Sequence, residues 1–238
     1  MSLFNYRLLM AAAMGANVYT GAEAGGVYCN GVQLPEWDAE TVWYGLAVDL
    51  DGSLLGVCGD GDIYRDGVAM GWTTRRYRGV HVDPDGNIWA AIYNDTSNPG
   101  PTVGDIACNN VMQGWPNTTF RRVAISPIDG AVWAIADQWV YKDKVAQSDW
   151  PNTSYCNYYG LAINPDGAVW AIPTSKGVYA DAVLQANWYR YKDIAFDKQG
   201  HLWGAASGNG GEDIDIYRDN IPQNFGLDGC YSIAVQMY

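Results

Sequence analysis

A single cassette of strand and turn signals recurs along this chain and constrains its fold more than any other feature. Each copy begins with an apolar triplet, and the central residue of the triplet is Ala in five copies and His81 in the sixth. The triplets occupy residues 46–48, 80–82, 123–125, 161–163, 194–196 and 233–235. Self-similarity at intervals of 33 to 43 residues indicates a chain built from repeated supersecondary units.

Each of the first five triplets is followed by the signals of three further strands. A turn comes first, with Gly after Asp in four copies and after Gln in the fifth, and Asp-Gly between apolar runs is a strong hairpin signal. A second strand with a large residue follows, then a third strand, then a closing aromatic residue. The large residues are Leu55, Trp89, Trp133, Trp170 and Trp203. We expect Trp133, Trp170 and Trp203 to pack in the core between sheets. Four short antiparallel strands per repeat predict the blade of a β-propeller.

The two ends of the chain determine the number of blades. The chain stops after a first strand at residues 231–238, and the missing second, third and fourth strands lie at its start, at residues 18–20, 27–31 and Trp37. We therefore predict an all-β, six-bladed β-propeller of four-stranded antiparallel blades over residues 16–238. Its sixth blade is closed by the N- and C-terminal strands together, which removes open sheet edges. Residues 1–15 are predicted to form a separate tail.

The best copy of the cassette combines Gly-Ala-Val-Trp-Ala-Ile at residues 167–172 with Gly-Val-Tyr at residues 177–179. This pattern resembles the tectonin repeat, and the resemblance extends over residues 16–238. Leu55 in place of Trp, and the degenerate third strand at residues 106–108, depart from the pattern in blades 1 and 2. Tectonin propellers are often lectins or host–microbe recognition proteins, so the resemblance implies carbohydrate binding.

The predicted tail carries Arg7 followed by an apolar stretch at residues 8–14. The stretch is too short to span a bilayer, which requires about 20 residues. It resembles the start of some tailed-phage fibre or decoration proteins, which implies that residues 1–15 dock onto other virion proteins. On this interpretation the protein is extracellular or virion-associated.

The composition argues for binding rather than catalysis. A net charge of −12 disfavours nucleic acid as a partner. The chain has two histidines and lacks the Gly-x-Ser-x-Gly and His-Glu-x-x-His motifs, so we predict no catalytic residues and no enzyme activity. Its five cysteines have no zinc-ligand spacing and are predicted to be free thiols. The Asp-Gly turns offer too few oxygens for calcium, so no metal or cofactor is expected.

The candidate binding residues lie where a fourth strand leads into the next first strand. Half of the 14 basic residues fall in these junctions, which share one face of a propeller: Arg75, Arg76, Arg78, Arg121, Arg122, Arg190 and Lys192. The same junctions carry aromatic and amide groups suited to a sugar: Trp115, Asn117, Trp150, Asn152, Tyr155 and Tyr158. Ion pairs with neighbouring carboxylates, and a shared Trp-Pro-Asn turn, are the structural alternatives. His81 is a further candidate because the innermost strands converge at the axis and would bring it to the channel, and a histidine packed in the core is the alternative.

Three classes of function are compatible with the sequence. The leading hypothesis is a lectin-like module that binds a glycan or another anionic cell-surface ligand on this loop face, displayed on a phage virion. The alternative is a structural virion or scaffold protein with no ligand of its own, and a glycan hydrolase is a distant third. A glycan array separates the first two, because a scaffold protein binds no sugar.

Overall fold

A computed structural model describes most of the chain. The described residues are 16–22, 25–72, 75–93, 104–136, 138–151, 158–173, 177–185, 191–206, 216–223, 225 and 230–237. They form six four-stranded antiparallel sheets arranged as a ring, and no helix occurs among them. The predicted six-bladed β-propeller is therefore confirmed. The predicted docking tail, residues 1–15, lies outside the described residues.

The strands follow one another from the axis to the rim in each of the first five blades. Blade 1 contains β4 (Gly45–Val48), β5 (Leu54–Val57), β6 (Ile63–Arg65) and β7 (Val68–Ala69). Blade 2 contains β8 (Tyr77–Val82), β9 (Ile88–Ile92), β10 (Ile106–Cys108) and β11 (Val111–Met112). Blade 3 contains β12 (Phe120–Ile125), β13 (Val132–Ala136), β14 (Trp139–Lys142) and β15 (Val145–Ala146). Blade 4 contains β16 (Tyr158–Ile163), β17 (Val169–Pro173), β18 (Val178–Ala180) and β19 (Val183–Gln185). Blade 5 contains β20 (Tyr191–Phe196), β21 (Leu202–Ala206), β22 (Ile216–Arg218) and β23 (Ile221–Pro222).

The sixth blade is built from both ends of the chain, as predicted. It combines β1 (Ala16–Ala22), β2 (Val27–Cys29) and β3 (Val32–Gln33) with the last strand, β24 (Cys230–Met237). The antiparallel pairing of β24 with β1 runs from Ala16 opposite Met237 to Ala22 opposite Cys230. This pairing closes the ring and leaves no unpaired edge between its first and last blades.

A tight turn between the third and fourth strands is repeated in all six blades. Its first residue is Asp or Asn with a positive φ between 46° and 49°, a conformation that these two residue types tolerate best after Gly. In blades 1 to 5 the side-chain Oδ1 accepts a hydrogen bond of 2.8 to 3.0 Å from the first amide of the second strand. In blade 6 the donor is the Val18 amide within β1, at 3.0 Å. The six residues are Asn30, Asp66, Asn109, Asp143, Asp181 and Asp219. One side chain therefore fixes three strands of each blade in register.

The core lies between neighbouring blades and is rich in aromatic rings. The closing aromatic residues Trp37, Trp115, Trp150 and Phe225 are buried there, and Trp37 packs edge-on against Trp43 at 4.6 Å between ring centroids. Trp203 is fully buried within one hydrophobic cluster between blades. Trp133 and Trp170 are only partly buried, and each packs against a different cluster between blades. The predicted core role therefore holds fully for Trp203 and in part for the other two.

The described cysteines and the chain's surface add two further observations. Cys29, Cys58, Cys108 and Cys230 are free thiols, and burial raises the pKa of Cys29 to about 11 and that of Cys58 to about 12. Across the described ranges, no helix has the length and apolar character needed to cross a lipid bilayer.

Candidate functional site

A β-bulge at the start of the innermost strand occurs in five of the six blades. In β8 the register shifts between Tyr77 and Gly79, so Arg78 is the extra residue. The same shift makes Arg121 the extra residue in β12, Tyr159 in β16, Lys192 in β20 and Tyr231 in β24. A bulge bends the strand and turns the extra side chain away from the regular alternation of the sheet. In blade 1 the corresponding residue, Tyr44, directly precedes β4.

These six residues surround the propeller axis at one end of the central channel, and we call them the axial ring. Its members are Tyr44, Arg78, Arg121, Tyr159, Lys192 and Tyr231, one from each blade in order. Together with Arg122 they line a basin of about 60 Å³. The ring thus brings three cationic side chains together at the centre of a protein whose net charge is −12.

Contacts between cations and aromatic faces hold the ring together. The Arg78 guanidinium lies 3.9 Å from the centroid of Tyr44 and 4.5 Å from that of Tyr93. Arg121 lies 5.1 Å from Tyr159, and the Lys192 ammonium lies 5.6 Å from Tyr159 and 5.5 Å from Tyr231. Such contacts stabilise the cationic groups through the faces of the aromatic rings and do not use the in-plane N–H groups of a guanidinium.

Two of the three cations of the ring, Arg78 and Lys192, stand apart from the described carboxylates. Within the described part of the chain, no Asp or Glu lies within ion-pair distance of Arg78 or Lys192. Both side chains are also only partly buried, so they are accessible from outside. An acidic protein that leaves these charges unpaired at its centre has the electrostatics of an anion-binding site.

Arg122 closes the channel directly beneath the axial ring. Its Nε donates to Asp193 Oδ1 at 3.0 Å, and Nη1 donates to the carbonyl oxygens of Arg78 at 2.8 Å and Arg121 at 3.0 Å. Nη2 donates to the Tyr231 carbonyl at 3.3 Å. The guanidinium therefore links blades 2, 3, 5 and 6 across the axis. Arg122 is thus tied into the fold while it also lines the floor of the basin, and its role in binding a ligand stays a prediction.

Asp193 is the buried partner of Arg122. Its Oδ2 also accepts a hydrogen bond of 3.3 Å from the amide of Ile233. Burial raises the pKa of Asp193, and the neighbouring Arg122 guanidinium opposes that rise. The Asp193 carboxyl group lies below the axial ring and forms an ion pair with Arg122, so it does not cancel the charge of the axial ring itself.

A second cavity of about 190 Å³ occupies the channel below Arg122. Its wall contains the central Ala of five triplets and His81 of the sixth, so the prediction that His81 reaches the channel is consistent with the structure. Burial lowers the pKa of His81 to about 4, and the nearby Asp83 carboxylate offsets this only in part. The imidazole is therefore neutral at physiological pH.

The structure separates the other predicted site residues into three groups. Trp115, Trp150 and Tyr158 are at most 5% exposed, and the Tyr158 hydroxyl donates to the Pro151 carbonyl at 2.9 Å. These rings are core residues, and the prediction that they stack on a sugar does not fit their burial. Arg76 and Asn117 are exposed outside the axial ring. Asn152, Tyr155 and Arg190 lie outside the described residues.

Sequence reasoning missed the tyrosines of the ring, although a signal for them exists. Tyr44, Tyr159 and Tyr231 each stand two residues before an apolar triplet, as Arg78, Arg121 and Lys192 do. The sequence prediction instead selected Tyr158, the immediate neighbour of Tyr159. Neighbouring strand residues point to opposite sides, so this one-residue difference exchanges a ring position for a core position.

Comparisons with known proteins identify the fold but not a family. The sequence matches no model of a known protein family, and no curated protein matches it either. Among solved structures, a protein of unknown function from Bacteroides caccae has a TM-score of 0.66 at 10% identity, covering 93% of this chain and 98% of that chain. This level of identity shows a shared fold alone.

Two further solved structures have the same architecture. The extracellular domain of a putative one-component system from Bacteroides thetaiotaomicron has a TM-score of 0.54 at 15% identity, covering 86% of this chain and 31% of that chain. A putative gluconolactonase has a TM-score of 0.54 at 15% identity, covering 81% of both chains. Propellers similar to this one thus include an extracellular domain and a putative enzyme, so the fold by itself assigns no activity.

Proposed function

We propose that this propeller is a non-enzymatic recognition module that binds an acidic carbohydrate at the axial ring. The observation that carries the proposal is the set of three cations, Arg78, Arg121 and Lys192, gathered where all six blades meet. Arginine offers in-plane N–H groups that match the two oxygens of a carboxylate, sulfate or phosphate. Tyrosine rings beside them offer apolar faces and hydroxyl groups, which suit the faces and hydroxyls of a sugar.

The chemistry of the ring favours binding over catalysis. Its described side chains are guanidinium, ammonium and phenol groups, with no carboxylate or imidazole among them. The Asp193 carboxyl group beneath the ring is engaged by Arg122 and by the Ile233 amide. A general base for hydrolysis needs a free proton acceptor within hydrogen-bond reach of the substrate.

Two similarities support a carbohydrate as the ligand and the cell exterior as the location. The repeat pattern resembles that of tectonin propellers, which are often lectins. One solved structure with the same fold is the extracellular domain of a putative one-component system. On this proposal the protein is an extracellular lectin-like module, and the ligand is an anionic glycan of a cell surface.

A matched pair of lysine variants in blade 5 tests the proposal. Lys192 lies in the axial ring, and Lys198 is exposed in the turn after β20, at the opposite end of that strand. Lys192→Gln is expected to weaken binding of acidic oligosaccharides about tenfold, because a hydrogen bond to a charged group contributes about 1.5–3 kcal/mol. Lys198→Gln changes the net charge equally and is expected to leave affinity unchanged.

Isothermal titration calorimetry with acidic oligosaccharides and their neutral parents measures both variants. Wild-type affinity for the acidic forms is expected to fall as salt rises from low to physiological concentration, since charges are screened beyond about 8 Å there. Equal losses in the two variants, or equal binding of neutral and acidic forms by the wild type, would remove the axial ring as the site.

A further inference from the structure

We propose that the axial ring recognises one anionic group at the end of a ligand chain, bound once per molecule along the propeller axis. This inference rests on the proposed function and specifies its ligand. The group is a carboxylate, a sulfate or a phosphate, which present the same charged oxygens to Arg and Lys. Extended polyanions, with many charges along one chain, are discriminated against.

The position of the ring limits the site to one per molecule. A site between two blades can recur up to six times in a six-fold repeat, whereas the axis is unique. Each blade supplies one residue to the ring, and the residues differ: three are cations, and three are tyrosines. The basin therefore exists only when all six blades are assembled, and it binds a single group.

The size and floor of the basin favour an end-on ligand. The basin, at about 60 Å³, accommodates a small charged group and is less than a third of the size of the cavity below Arg122. Arg122 closes the floor, and three of its hydrogen bonds go to backbone carbonyls of the surrounding blades. The ligand must therefore enter from outside along the axis, with its anionic group first and the rest of the chain projecting outward.

A carboxylate loop beside the ring opposes a polyanion lying across the face. The loop between β5 and β6 touches the ring, because a methyl group added at Gly59 would lie 3.7 Å from the Tyr44 ring. The next residue, Asp60, is exposed. Partial burial raises the pKa of Asp60, but hydrogen bonds from Cys58, Tyr64 and the Asp62 amide outweigh it and hold the pKa below its usual value. Asp60 is therefore ionised and repels a second anionic group in this sector.

The test compares ligands that differ only in the number and type of anionic groups. The probes are a neutral oligosaccharide, the same chain with one terminal uronic acid, sulfate ester or phosphate ester, and a polyuronate of equal length. Calorimetry is expected to give one bound chain per protein for the single-ended probes. The polyuronate is expected to bind no more tightly than the terminal uronate despite its higher charge, and the three single-ended probes distinguish the chemical groups.

A pair of carboxylate variants tests the discrimination separately. Asp60→Asn is expected to raise affinity for the polyuronate severalfold and to change affinity for the single-ended probes less than twofold. Asp85→Asn, in the exposed turn between β8 and β9 on the opposite face, makes the same charge change and is expected to alter neither. Several bound chains per protein, or affinity that rises with the number of carboxylates, would overturn this inference and leave the proposed function standing. No binding of any acidic probe would overturn both.

Discussion

At the scale of single residues, the fold depends on an Asp or Asn that is repeated once per blade. In blade 4, Asp181 adopts a φ of 46° and accepts a 2.9 Å hydrogen bond from the amide of Val169. Asn replaces Asp at the equivalent positions of blades 2 and 6, Asn109 and Asn30, with the same φ and the same type of hydrogen bond. The position therefore requires the short side-chain oxygen and not the charge.

Substitutions of Asp181 test whether the side-chain oxygen or the negative charge stabilises the turn. Asp181→Ala is expected to destabilise the protein by about 1–3 kcal/mol, since it removes a hydrogen bond and places Ala in the left-handed region. Asp181→Asn keeps both the oxygen and the tolerance for positive φ, and it is expected to stay within about 0.5 kcal/mol of the wild type. Urea unfolding measures the difference. If Ala and Asn proved equally stable, the hydrogen bond to Val169 would not contribute to stability.

The fold could be predicted from the sequence because its signals are local. In blades 1 to 5 the hairpin between the first and second strands is marked by Gly with a positive φ, as at Gly52 and Gly167, and the strands are marked by apolar residues. The axial ring could be predicted only in part. Its basic members were visible as a cluster of charge, but the bulges that turn them toward the axis depend on contacts between blades. Tyr159 differs from Tyr158 by its offset of two residues before an apolar triplet, which becomes visible only when the six repeats are aligned.

At the scale of elements, the innermost strands of neighbouring blades approach one another closely, and their bulges carry the residues of the axial ring. Gly45 and Gly79 each follow a ring residue, and a methyl group added at Gly79 would lie 2.7 Å from the Arg121 carbonyl oxygen. In blades 3 and 5 the corresponding residues are Arg122 and Asp193. Small residues in the other innermost strands therefore leave the space in which the side chains of Arg122 and Asp193 meet.

The closing strand β24 is the element on which closure of the propeller depends. Deleting residues 230–238 removes the partner of β1 and exposes the faces of the neighbouring blades, so we expect cooperative loss of structure rather than fraying of one edge. Circular dichroism and thermal unfolding measure the loss, and a synthetic peptide of residues 230–238 is expected to restore part of the signal. Removal of Tyr238 alone is the control. A deletion variant that melts within a few degrees of the full chain would contradict the role of β24 in closure.

At the scale of the whole molecule, the Arg122–Asp193 pair joins blades that are far apart in sequence. The two side chains are 12% and 6% exposed, and their hydrogen bonds reach four of the six blades. Removing one member of a buried ion pair typically costs about 3–5 kcal/mol, because the other charge is left without a partner. The Arg122–Asp193 ion pair therefore links the assembly of the six blades to the charges in the central channel.

The stability of an Arg122→Met variant is expected to depend on pH in a way that identifies Asp193 as the cause. Burial already raises the pKa of Asp193, and losing Arg122 raises it further. A carboxyl group whose pKa is raised on folding favours the folded state fully below its unfolded pKa of about 3.9, and this contribution is lost as pH rises through the folded pKa. The variant should thus be least stable relative to the wild type near neutral pH, and the difference should shrink toward pH 4. Urea unfolding across this range measures the difference in stability.

The control adds Asp193→Asn to Arg122→Met. This double variant should regain part of the stability at pH 7 and lose most of the pH dependence of the difference. If the difference between Arg122→Met and the wild type did not change with pH, lost packing and not the uncompensated carboxylate would be the cause of the destabilisation.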